Sequence, residues 1–69
     1  MDLENEIKIA KAKKVNLMVE ISRVYDNMVY AERRGEKIAP ENGPERLSQL
    51  KDEMLKVNDY ILELEEKIQ

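Results

Sequence analysis

The sequence predicts an all-α fold: an antiparallel two-helix coiled-coil hairpin that pairs with a second copy into a four-helix bundle. Three observations carry that expectation. In the second half Leu47, Leu50, Met54, Val57, Ile61, Leu64 and Ile68 recur at alternating spacings of three and four. The first half carries a matching stripe, Leu3, Ile7, Ala10, Lys14, Leu17, Ile21, Val24, Met28 and Ala31, with Lys14 its one polar member. Between them Gly35, Pro40, Gly43 and Pro44 interrupt helix formation. A 3-4 spacing holds side chains on one face of an α-helix, so each stripe reads as a coiled-coil seam.

Helix 1 is expected over about 2–34. It opens with Asp2, Glu4 and Glu6 and closes with Arg33 and Arg34 before Gly35. Acid at the start and base at the end complement the helix dipole, and Gly35 suits the left-handed turn that stops a helix. The connection is 35–43, where Pro40 prevents helix and Ile38 is placed to plug the open end of the bundle. Helix 2 is expected over about 44–68, with Pro44 at its first position, Asn42 or Gly43 as the cap and Glu45 behind it. All of 1–69 then forms one domain.

The stripes propose a register. In an antiparallel hairpin the numbers of facing residues add to a constant. The pairs Ala31–Leu47, Met28–Leu50, Val24–Met54, Ile21–Val57, Leu17–Ile61, Lys14–Leu64 and Ala10–Ile68 all add to 78. On that register residues before about Asn5 have no intramolecular partner, and Leu3 and Ile7 continue the seam into an overhang that something else must cover.

A second stripe beside the first widens the apolar face. Val15, Met18, Ser22, Tyr25 and Val29 keep the 3-4 spacing, and Leu55 and Leu62 flank the seam of helix 2. One neighbour needs one seam; a wider face implies two. A chain of 69 residues also buries little core, and with no Cys and no His neither a disulfide nor a Cys/His zinc site can brace it. Oligomerisation is the remaining route. The expected interface is therefore Leu3, Ile7, Val15, Met18, Tyr25, Val29, Leu55 and Leu62, covered by a second copy or by a helix of another protein. Tyr25 is expected half-buried, while Tyr30 and Tyr60 fall off the seams as exposed anchors.

Chemistry is sparse. His, Cys, Trp, Phe and Thr are absent, Ser22 and Ser48 have no base in the pattern, and Asp52-Glu53 and Glu65-Glu66 fall on outer helical faces. No enzyme activity, metal or cofactor is expected. The mixed charge, 39% charged with a net −3, describes solvated helix faces rather than a basic nucleic-acid surface. No apolar run is long enough to span a bilayer, and Met1-Asp2-Leu3-Glu4 lacks the features of a signal peptide, so a soluble cytoplasmic protein is expected.

One local feature is basic: Lys8, Lys11, Lys13 and Lys14 with no acid between Ile7 and Val19. The strip supports an alternative, a dimeric RNA-binding hairpin contacting phosphates. Against it, the strip lies opposite Glu63, Glu65 and Glu66 in the same register, and no aromatic or Arg residues are interleaved to grip bases. Lys14, alone on a seam, is expected to fix register, with its stem on Leu17 and Leu64 and its ammonium at Glu63 or Glu65.

The segment Ser48-Gln49-Leu50-Lys51-Asp52 resembles the Ser-Gln-Glu-Leu-Asp motif of the sporulation aspartyl-phosphate phosphatases, keeping three of five positions and departing at the middle two. That resemblance implies a regulator in which Gln49 and Asp52 contact a phosphorylated response regulator. In length, acidity and a helix–turn–helix plan turning at Arg34-Gly35, the chain is also similar to the small co-chaperones of type III secretion needle subunits, which implies a binding role. Protein–protein association by an adaptor, assembly factor, co-chaperone or regulator is the leading expectation.

Overall fold

The computed structural model describes residues 2–68; Met1 and Gln69 of the expected domain lie outside them. Two helices pack against each other, α1 over Leu3–Arg33 and α2 over Pro44–Ile68, with a short 3-10 turn, Pro40–Asn42, between them. The hairpin is 51 Å long and about 16 Å across.

Local chemistry sets each boundary. The Asp2 side chain accepts from the Glu4 backbone N–H at 3.0 Å, so Asp2 is the cap of α1 rather than its first residue. At the other end the Glu36 N–H donates to the Ala31 carbonyl at 2.8 Å and the Gly35 N–H to that of Glu32 at 3.1 Å. With Gly35 at φ +68° this is a Schellman stop, which places a left-handed residue where glycine adopts it without strain. Helix α2 begins when the Gly43 carbonyl accepts from the Leu47 N–H, and Pro44, having no N–H to leave unpaired, occupies the first turn.

Both seams face inward, except that Ile68 at the end of α2 is 47% exposed. Ile7, Ala10, Leu17, Leu47, Leu50, Val57, Ile61 and Leu64 are buried, with Ile21, Val24 and Met54 packed beside them. Leu50 is only 1% exposed, and burying a leucine to that extent contributes about 1.5–3 kcal/mol.

The register differs from the expected one by a full heptad. The position of a Gly43 Cβ lies 3.5 Å from Met28 Cγ, Arg46 reaches Glu20, and the Lys51 ammonium sits over the Tyr25 ring. Gly43 beside Met28 sets facing numbers that add to 71, with the two longer side-chain contacts reaching to either side of that level. Val24 thus falls level with Leu47, Ile21 with Leu50, Lys14 with Val57, Ala10 with Ile61 and Ile7 with Leu64. The cause is the connection. Instead of looping past the helix ends, it folds back along the last turns of α1, where Ile38 and Ala39 are half-buried and Gly43 is buried. Met28 thus lies beside Gly43 of the connection, and both Met28 and Ala31 are half-buried. The expected N-terminal overhang is accordingly absent: Ile7 is buried inside the hairpin, half-buried Leu3 falls level with Ile68, and Ile7 and Ile68 line one cleft.

Candidate functional site

With the seam residues consumed by α1–α2 packing, the two sides of the hairpin carry what remains, and they differ. On one side α1 presents Val15, Met18, Ser22, Tyr25 and Val29, and α2 presents Leu55 and Leu62. All seven are exposed, Met18 at 52% and Leu62 at 59%. The helices leave a groove of about 620 Å³ here, lined by Lys14, Val15, Met18, Asn58, Ile61 and Leu62 with Lys11 and Glu65 at one end. Such a volume accommodates several side chains of a partner. This wide face contains every expected interface residue except Leu3 and Ile7. Tyr25 is more open than expected, at 44%, and lies beneath the Lys51 ammonium, 5.7 Å from the ring centroid.

The opposite side is charged. Arg46 and Glu20 pair across it at 2.8 Å, the one ion pair among the described residues. A smaller cleft there holds Glu6, Ile9, Lys13, Lys56 and Tyr60 over a floor of Ala10 and Val57. Tyr60 is exposed, as is Tyr30, whose ring lies 5.5 Å under the Arg34 guanidinium. Exposed Ile9 was not anticipated: it belongs to neither stripe, and periodicity gives no signal for an isolated apolar residue.

The four lysines do not form one surface. Residues 11 and 13 are about 200° apart around a helix. Lys11 and Lys14 accordingly line the wide-face groove, Lys8 and Lys11 line an end cleft with Glu65, and Lys13 joins Lys56 on the charged side. Lys14 is half-buried level with Val57 rather than Leu64. Exposed Glu63 lies away from it, Glu65 shares its groove, and it makes no ion pair within 4.0 Å among the described residues.

Of the groups weighed for chemistry, Ser22, Ser48, Gln49, Asp52, Glu53 and Glu66 are exposed, and Glu65 is half-buried. No cluster of three or more acidic, His or Cys residues is placed to hold a metal among the described residues. Ser48, Gln49 and Asp52 share the outer surface of α2 while Leu50 faces the seam. The apolar position is thus third in this segment and fourth in the phosphatase motif. That displacement turns the polar residues about 100° around the helix relative to the motif's own apolar position. No described helix is long and apolar enough to cross a membrane. Comparison with protein-family models, curated proteins and solved structures finds no match.

Proposed function

We propose that this chain is a non-enzymatic association module that works by helix packing, self-associating through its wide face so that two hairpins form a four-helix bundle. One observation carries the reading: six large apolar side chains, Val15, Met18, Tyr25, Val29, Leu55 and Leu62, stand exposed on the same side, opposite a side that is charged. A contiguous apolar surface on a small hairpin marks an interface. Its α1 part runs from Val15 to Val29, about 21 Å of helix. The role such a soluble, cytoplasmic module serves is that of an adaptor, assembly factor or regulator, engaging a helix of its client as it engages itself.

Sedimentation equilibrium tests this. The expected mass is about 16 kDa, twice the 8.1 kDa chain, and Met18→Asp with Leu62→Asp shifts it to the single-chain value while helicity at high concentration persists. A wild-type chain that stays at 8.1 kDa at every concentration with its fold intact would refute self-association.

A further inference from the structure

We infer that the wide face binds a second copy of this chain in one orientation: antiparallel, α1 against α1, about a two-fold axis perpendicular to the long axis and passing near Ser22. The inference rests on the reading that the wide face is the interface, and it adds which surfaces meet.

Two face-to-face arrangements of identical hairpins are closed. With the two-fold along the hairpin's length, α1 of one copy lies on α2 of the other. With the two-fold across it, α1 lies on α1 and α2 on α2. The distribution of apolar residues separates them. Four of the six exposed apolar side chains, Val15, Met18, Tyr25 and Val29, belong to α1, whereas α2 interleaves Leu55 and Leu62 with Ser48, Lys51 and Asn58. The lengthwise axis would set Val15 near Leu55 but lay the middle of the α1 stripe, around Ser22, over Ser48 and Lys51. The crosswise axis lays the stripe on itself.

The stripe is also centred. Val15 and Val29 each lie seven residues from Ser22. Reversing one copy about that point keeps apolar residues over apolar residues along the whole stripe. Ser22, its small member, then falls within a turn of Met18 and Tyr25 of the partner subunit, and a small residue beside large ones is what close helix packing requires.

Charge gives a second, independent argument. On the wide side of α1 Lys8 and Lys11 precede the stripe, where they share an end cleft with Glu4 and Glu65, and Glu32 follows it, with Glu36 next in the connection. Antiparallel docking brings Lys8 and Lys11 of each copy toward the Glu32 end of the other, at both ends of the bundle. These pairs select orientation more than they add affinity.

Pulsed electron paramagnetic resonance on the full chain reads the orientation directly. The chain has no cysteine, so Asn5→Cys, an exposed position outside the proposed interface, carries a single spin label. The crosswise axis puts the two labels at opposite ends, about 50 Å apart at 1.5 Å per residue. The lengthwise axis puts them at one end, separated by less than about 30 Å given helix spacings of 8–10 Å. A dimer with the short distance overturns this orientation and leaves self-association standing. A monomeric mass with an intact fold overturns both. As a further check, Lys8→Glu with Lys11→Glu raises the dimer dissociation constant several-fold, and adding Glu32→Lys with Glu36→Lys restores it. Absence of that rescue in a folded protein also counts against the antiparallel assignment.

Discussion

Gly43 and Gly35 carry different constraints. A Cβ on Gly43 would sit 2.6 Å from Ile38 Cγ2, a methyl on a β-branched side chain that is stiff at χ1. Gly43→Ala therefore overpacks the connection, with an expected loss of about 1–3 kcal/mol in chemical denaturation. Ile38→Ala removes the obstructing methyl, so the double variant should lose less than the two single losses together. Additive losses would mean that the two positions do not touch. At Gly35 the surroundings are open but the backbone is left-handed at φ +68°, so Gly35→Ala costs about 1–2 kcal/mol of conformational strain and nothing from packing. That loss should be unaffected by Ile38→Ala.

The two helices were legible in the sequence because their information is periodic. Seams, boundaries and the Gly35 stop follow from spacing and end chemistry, and α1 and α2 run over Leu3–Arg33 and Pro44–Ile68. Register was misread because a slip of seven residues preserves a 3-4 pattern. The clue lay in Gly43, which stands four residues before Leu47 and seven before Leu50, in phase with the α2 stripe. Counting that glycine as the last seam member, facing Met28, gives the observed alignment. The wide face was legible for the same periodic reason, except that Leu3 and Ile7 entered it through the mistaken overhang. Seam and surface separate in a mutational comparison. Ile61, 6% exposed, should lose about 2–5 kcal/mol as Ile61→Ala. Val19, 45% exposed on α1, should lose well under 1 kcal/mol as Val19→Ala. Comparable losses at the two sites would contradict the assignment of inner and outer faces.

At the level of the whole molecule, Lys14 bears on stability and on assembly together. It is half-buried in the seam without an ion pair among the described residues, and it borders the wide-face groove. Lys14→Leu completes the seam between Leu17 and Ala10. About 1 kcal/mol gained there raises the melting temperature by roughly 4–8 °C, read at one protein concentration because the melting of any self-associating chain depends on it. The substitution also extends the apolar groove, so if the chain self-associates as proposed, light scattering on the same variant should show species larger than a dimer. A lower melting temperature would show that Lys14 contributes a favourable contact that the leucine loses.

The fold-back of the connection along Met28 has a further consequence, for motion. Sliding α2 by seven residues against α1, about 10 Å, would leave most seam side chains opposite another seam side chain. The apolar seam is thus nearly degenerate between two positions, which are distinguished by the short tether from Gly35 to Gly43 and by the Arg46–Glu20 and Lys51–Tyr25 contacts. Cleaving the backbone after Lys37 removes that tether and keeps both helices whole. The nicked molecule should then sample a second alignment, visible as lost hydrogen-exchange protection in the outermost turns while the centre of both helices stays protected. Where the intact chain has one energy minimum, the cut one has a pair.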